Sequence, residues 1–195
     1  MSKHKFIKVT IDGESPLLMN RFTEKAQESA GKGTSIVAVG DQGSPREQAE
    51  PKLYTNKQGQ IVFPGPNFFS CLIEAGKFHK LGKSKITTAR SSLIPAGLLV
   101  MEVDSLIKTK ADPPWEVDSR PIVNPSTKGR RICHRPRMDS WGVTFTLDVD
   151  VSMFDPKFVR QLVDDAGVRV GLGDFRPDRK GPFGRFKVTK WEVTE

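Results

Sequence analysis

Between Trp141 and Val151 apolar and polar residues alternate without a break. Trp141, Val143, Phe145, Leu147, Val149 and Val151 stand against Gly142, Thr144, Thr146, Asp148 and Asp150. A period of two puts each set on its own face of a pleated strand, so the stretch predicts a strand with one buried side. Lys5 to Ile11 repeats the pattern, with Ile7, Val9 and Ile11 opposed by Lys8 and Thr10, and Asp12-Gly13 turns the chain after it. Leu17 to Met19 form a short apolar segment that reads as core. Leu53 to Phe63 predicts a hairpin turning at Asn56-Lys-Gln-Gly59, with Ile61-Val-Phe63 as its return strand. Leu98 to Val103 predicts another strand, closed at or after Ile107 by the Ala111-Asp-Pro-Pro-Trp115 cluster, and Phe186 to Val193 predicts the last.

Twice the period lengthens to that of a helix. Pro64-Gly-Pro-Asn67 signals a helix start, and Phe68, Phe69, Leu72, Ile73 and Gly76 follow at helical spacing. The unpaired amides of that first turn are a candidate phosphate site, or simply an ordinary helix start. Asp155 is placed to cap a second helix with Pro156 at its first position. Phe158, Val159, Leu162 and Val163 are its buried stripe, and Gly167 is its expected end.

Two stretches interrupt these elements. From about Thr23 to Glu50 the chain is rich in Glu, Gln, Ser, Gly and Lys, with Ile36-Val37-Ala38-Val39 as its apolar island, and reads as a flexible insertion. Asp41 within it reads as a solvated carboxylate rather than a metal ligand. Val117 to Met138 reads as a second insertion, a long hairpin or lobe. Set aside the insertions, at about 21–60 and 105–140, and one domain over residues 1–195 remains. Its order is strand, helix, strand, strand, helix, strand. The expected class is α+β, with a ferredoxin-like or RRM-like βαββαβ core and a glycine-rich loop before the last strand. Both helices would cover one sheet face and leave the other open.

Charge then narrows the function. The 195 residues carry 31 Lys and Arg against 23 Asp and Glu, a net charge of +8, which points to a polyanionic partner. Cys71 and Cys133 have neither metal-ligand nor disulfide spacing, so a reducing, cytoplasmic setting is expected, with no cofactor and no metal. No apolar run approaches a membrane span, and Met1-Ser-Lys-His-Lys leads into a strand pattern rather than a signal peptide.

The basic residues are clustered. Lys77, His79, Lys80, Lys83, Lys85 and Arg90 occur without an acid among them, as do Lys128, Arg130, Arg131, His134, Arg135 and Arg137. The third cluster is the loop Gly171-Leu-Gly-Asp-Phe-Arg-Pro-Asp-Arg-Lys-Gly-Pro-Phe-Gly-Arg-Phe186. There Gly171, Gly173, Gly181 and Gly184 alternate with Arg176, Arg179, Lys180 and Arg185 and with Phe175, Phe183 and Phe186. Glycines can bare backbone amides to an anion, basic side chains contact phosphates, and aromatic rings stack on bases. The loop therefore reads as a grip on a nucleic-acid backbone, against the alternatives of an exposed, solubilising connection or of rings that pack inward. With Arg21, the candidate contacts are Arg21, Lys83, Lys85, Arg90, Arg130, Arg131, His134, Arg135, Arg137, Gly171, Gly173, Phe175, Arg176, Arg179, Lys180, Phe183 and Arg185.

These residues carry a resemblance. Ile61-Val-Phe-Pro-Gly-Pro-Asn-Phe-Phe-Ser-Cys-Leu-Ile-Glu-Ala-Gly-Lys77 resembles the helix start common in the RAMP superfamily of CRISPR-associated RNA-binding proteins. The 171–186 loop resembles that superfamily's glycine-rich loop. In layout the chain is most similar to the backbone subunit that coats guide RNA in CRISPR effector complexes. It also resembles compact phage or mobile-element members, in Ser15-Pro-Leu-Leu-Met-Asn20 and Arg135-Pro-Arg-Met-Asp-Ser-Trp141. Phe68, Phe69 and Cys71 depart from the small, serine or basic residues usual at that helix start. The resemblance implies a non-catalytic subunit that binds single-stranded, guide-like RNA and target nucleic acid, self-associates along it, works with other effector subunits in antiviral defence, and touches no membrane. Two alternatives stay open: a metal-independent endoribonuclease using His4, His79 or His134, and a single-stranded DNA-binding or annealing protein.

Overall fold

The computed structural model describes residues 3–31, 43–123 and 128–194. Ile36 to Val39 and Asp41 lie outside them. In chain order the elements are β1 (His4–Gly13), β2 (Leu17–Leu18), α1 (Glu24–Gly31), α2 (Pro45–Ala49), β3 (Val62–Pro64), α3 (Gly65–Ala75), β4 (Lys80–Leu81), β5 (Ser84–Lys85), α4 (Ile94–Gly97) and β6 (Leu98–Val100). There follow β7 (Asp104–Lys108), β8 (Glu116–Val123), β9 (Arg130–Met138), β10 (Gly142–Asp150), α5 (Pro156–Asp165) and β11 (Phe186–Thr194).

The fold mixes helices with antiparallel sheets. In the main sheet β1 lies between β11 and β10, and the far side of β10 pairs with β6 at one end and with β7 at the other, β3 flanking β7. The two alternating segments occupy adjacent strands: Ile7 faces Leu147, Val9 faces Phe145 and Ile11 faces Val143, all buried. Their shared face receives α3 and α5. Phe68 of α3 stacks on Phe145 with ring centroids 4.6 Å apart and meets Phe63 edge-on at 5.0 Å. Burying each such ring is worth roughly 2–3 kcal/mol.

The opposite face is open but poor in aromatic rings. Thr10 and Thr144 hydrogen-bond across it at 3.1 Å, and Asp148 sits 2.8 Å from His4. Phe6, 39% exposed, is the ring on these strands that looks outward there.

Three expectations change in detail. The stretch from Leu98 is two strands rather than one: regular pairing breaks at Met101 to Val103, where Met101 N still donates to Thr146 O of β10 at 2.9 Å and Val103 O turns to the start of α3. The Gly65 amide donates to Val103 O at 2.7 Å, and a Cβ on Gly65 would overlap the Glu102 carbonyl. Gly167 does not end the second helix. It lies inside a π turn (Ala166–Val170) that prolongs α5, and its missing side chain lets the Phe186 carbonyl approach; the run stops at Gly171, with φ +74°. The polar stretch after Thr23 holds α1 and α2, the latter closed by a capping box in which Ser44 and Glu47 satisfy each other's amides.

The smaller sheet places the lobe. β8 and β9 form the long hairpin, and the free side of β9 pairs with β2, Leu17 opposite Met138 and Leu18 opposite Arg137. Below it, Arg46 of α2 stacks on Trp115 at 4.2 Å and Lys52 donates to His134 O. Among the described residues no helix is long and apolar enough to cross a membrane.

Candidate nucleic-acid interface

The glycine-rich loop is not an exposed tether. It folds back on itself and on the chain around β2. Gly184 N donates to Pro16 O and Asp174 N to Leu18 O, both at 2.8 Å, while Leu172 N donates to Gly184 O at 2.9 Å. The amides of Gly171, Phe175, Arg179, Lys180, Gly181, Phe183 and Arg185 are engaged as well, and Pro177 and Pro182 have none. Among the described residues only Gly173, Arg176 and Asp178 keep a loop amide without an acceptor. Gly171, Gly181 and Gly184 thus spend their N–H groups within the protein, which corrects the expectation for those three, and among the described residues Gly173 alone of the loop glycines keeps its own without an acceptor. Their role is conformational: Gly171, Gly173 and Gly184 all have φ above +70°, where a side chain strains the backbone.

One open cleft of 260 Å³ collects the groups that remain available. It is lined by Met19 and Asn20 just after β2, Tyr54, then Asn67, Ser70 and Cys71 of α3, and Gly171 to Asp174 with Arg176 of the loop. Asn67 and Ser70 stand three residues apart, so helical geometry turns both toward the cleft. Among the described residues the side chains of Tyr54, Asn67 and Ser70 have no hydrogen-bond partner. The amide of Pro66 is missing and that of Gly65 serves Val103, so the first turn of α3 presents Asn67 at most. That corrects the expectation of a multi-amide phosphate site at the helix start.

Asp174 forms the cleft's acidic corner. Its Oδ2 accepts from Asn20 Nδ2 at 3.0 Å and lies 2.9 Å from Arg135 Nε, and its Oδ1 accepts from its neighbour's amide, Phe175 N, at 2.9 Å. Arg135 comes from β9 and is only 6% exposed. It is not a phosphate contact but a buried counter-ion that fastens the loop to the smaller sheet. Arg176 donates to Gly173 O at 3.1 Å and lies 3.4 Å from Asp178, which holds its guanidinium at the cleft rim.

The other candidates fall into separate groups. Phe183 is buried beneath Arg120, whose guanidinium lies 4.9 Å from the ring and is clamped by both oxygens of Asp118. Phe183 therefore packs inward, while Phe175, 6.0 Å from it, remains 37% exposed. Arg179, Lys180 and Arg185 are exposed on the outside of the loop. Arg130 and Arg131 are exposed toward the distal end of the hairpin, and Arg137 is held by Asp139 and Glu116, the hydrogen bond to Asp139 raising its pKa. His134 is half-buried, its Nδ1 2.7 Å from Ser119 Oγ. Arg21 is half-buried near Lys52, to whose carbonyl its amide donates. Lys83, Lys85 and Arg90 lie beyond the far end of α3 and do not line the cleft. Of the predicted residues, the structure thus gathers Gly171, Gly173 and Arg176 in the cleft, with Arg135 behind Asp174.

Asn20, Tyr54, Asn67, Ser70 and Asp174 were not singled out from sequence. Asn67 and Ser70 lie within the helix-start motif already noted, and their polar spacing on an otherwise apolar helix was a usable signal. Among the described residues no group of three His, Cys, Asp or Glu could hold a metal ion.

Cys71 closes the floor. Its thiol donates to Gly171 O at 3.3 Å, and burial pushes its pKa up to about 12. At about pH 8 iodoacetamide should therefore label Cys133 and spare Cys71, as peptide mass mapping of the native protein would read. Because this pKa is raised on folding, the associated stability is complete below the unfolded value of 9.0 and declines as pH rises from there toward 12.

No family model matches the sequence, and no curated protein matches it. Among solved structures the chain is similar to one in the cryo-EM structure of Type III-B Cmr-beta bound to cognate target RNA, with a TM-score of 0.54 at 12% identity. The match covers 97% of this chain and 60% of that one, so this chain spans less than two thirds of its neighbour's length. What the two chains share is a fold.

Proposed function

We propose that this protein is a non-catalytic RNA-binding subunit that coats single-stranded RNA of the guide type through its backbone and self-associates along it, in an effector assembly of the CRISPR kind. We infer a ferredoxin-like core made of β1, α3, β6, β10, α5 and β11, a reading supported by the antiparallel order β11, β1, β10, β6. The observation that carries the function is the cleft, where the loop, the start of α3 and the end of β2 converge. It offers two unengaged amides, Gly173 and Arg176, and one guanidinium to a phosphate. The neighbour that shares the fold comes from an assembly bound to cognate target RNA, which supports RNA as the ligand.

Phosphate contacts from Arg176, Arg179, Lys180 and Arg185 give a binding constant that falls with salt and changes little with base sequence. The expected slope of log K against log salt is about −0.7 for each phosphate neutralised on a single strand. Fluorescence anisotropy between roughly 50 and 200 mM salt measures it. Arg176→Ala should weaken binding about tenfold and flatten the slope by about 0.7. A flat salt dependence would sink the reading. Purification without nuclease, followed by RNase and DNase digestion in parallel, tests the coat: a large particle that RNase alone disperses is the expected result.

A further inference from the structure

We propose that the cleft selects RNA over DNA by receiving a ribose 2'-hydroxyl at Asp174, Asn20 and Asn67. This rests on the reading of the cleft as an RNA interface and names what the cleft recognises. RNA and DNA backbones differ in what they can donate. Phosphate and deoxyribose carry acceptors only, so a DNA backbone has no hydrogen-bond donor between its ends. The 2'-hydroxyl is the one donor that RNA adds.

A cleft built for phosphate alone would hold donors and exclude acceptors. This one has both. Gly173 and Arg176 bring amides without an acceptor, and Arg176 a guanidinium. Asp174 brings a carboxylate, its Oδ2 steadied by Asn20 Nδ2 at 3.0 Å and by the buried Arg135 Nε at 2.9 Å. With its amide nitrogen turned to Asp174, Asn20 keeps its own carbonyl oxygen for a ligand. Asn67, half-buried and without a side-chain partner among the described residues, can both donate and accept. A carboxylate repels a phosphate but accepts from a hydroxyl, so Asp174, besides holding Arg135, suits a hydroxyl ligand. Arg135 balances its charge from behind and lets an acidic group line an otherwise anion-seeking cleft. Donors and acceptors side by side in one cleft suit the phosphate and the ribose of one nucleotide.

The test compares polymers about a dozen nucleotides long, identical in sequence, made of RNA, DNA and 2'-fluoro RNA, on the intact protein by fluorescence anisotropy. Fluorine keeps the sugar pucker of RNA but removes the donor. RNA should bind about tenfold more tightly than either of the other two, the usual scale for losing a hydrogen bond to a charged acceptor. Asn67→Ala and Asn20→Ala should each bring the ratio of RNA to 2'-fluoro affinity down toward one; neither substitution removes the counter-ion of Arg135. Equal affinity for RNA and 2'-fluoro RNA in the wild type overturns this inference while leaving the RNA-coat reading standing. A ratio unchanged in both variants overturns the assignment of these residues. Failure to bind any of the three polymers overturns both.

Discussion

Asp174→Ala should lower the unfolding free energy by about 3 kcal/mol and abolish RNA binding together with it. The substitution removes the counter-ion of Arg135, a guanidinium whose side chain is 7% exposed on β9. Truncating one partner of a buried pair leaves an uncompensated charge, which costs about 3–5 kcal/mol. The low end applies here because the Asp174 side chain keeps 30% exposure and water can reach Arg135 once the carboxylate is gone. Binding fails for a geometric reason: the Asp174 carboxylate and amide tie the loop to Asn20 and Leu18, and without the carboxylate the cleft wall loosens. Urea denaturation reads the stability and anisotropy the binding. Adding Arg135→Met to Asp174→Ala should recover much of the stability, since the buried charge leaves with its partner, yet not the binding. A loss below about 1 kcal/mol in the single variant would mean that the pair does not fasten the loop.

Gly184→Ala should cost about 2–5 kcal/mol. At φ +71° any side chain strains the backbone, and an added Cβ would overlap the Leu172 carbonyl, a backbone atom that cannot swing away. The left-handed conformation accounts for about 1–2 kcal/mol and the overlap for about 1–3 more. Gly59→Ala provides the comparison. Its φ is +75°, but nothing lies within 4 Å of the new Cβ, so only the conformational part remains. For a chain of this length each kcal/mol lowers Tm by about 2–4 °C, so calorimetry should separate the two variants clearly. Equal shifts would show that the close approach at Leu172 contributes nothing.

The elements that could be read along the chain are those whose signal is local. Ile7, Val9 and Ile11, like Val143 to Val149, declare a strand because side-chain direction alternates within the strand itself, and their partners across the sheet repeat the same period. Asp155 and Pro156 declare a helix start for the same kind of reason: the cap, with Asp155 accepting from Lys157 N at 2.7 Å, involves near neighbours only. The basic residues of β9 show where that legibility stops. Arg130, Arg131, Arg135 and Arg137 look alike in sequence, and strand alternation separates only Arg130 from the other three. Which of the remainder is buried depends on where the loop lies along the hairpin, and that is set by residues far away in the chain.

The loop shows the same limit. Its glycines and basic residues mark it as unusual, and the expectation of a backbone grip followed from them. Whether its amides point at a ligand or at the protein is settled by Pro16, Leu18 and Ser15, more than 150 positions earlier. Sequence by itself determined the strands and helices that alternate or are capped, the basic balance of the chain, and the glycine, arginine and phenylalanine content that sets the 171–186 loop apart. Tertiary structure alone decided that Arg135 is a buried counter-ion, that Phe183 packs inward, and that Asn20, Asn67 and Asp174 face one cleft with Arg176. The physical reason is that periodicity and capping are written over one or two turns of chain. A cleft is made by segments that meet only after the sheet has paired β1 with β10 and β2 with β9.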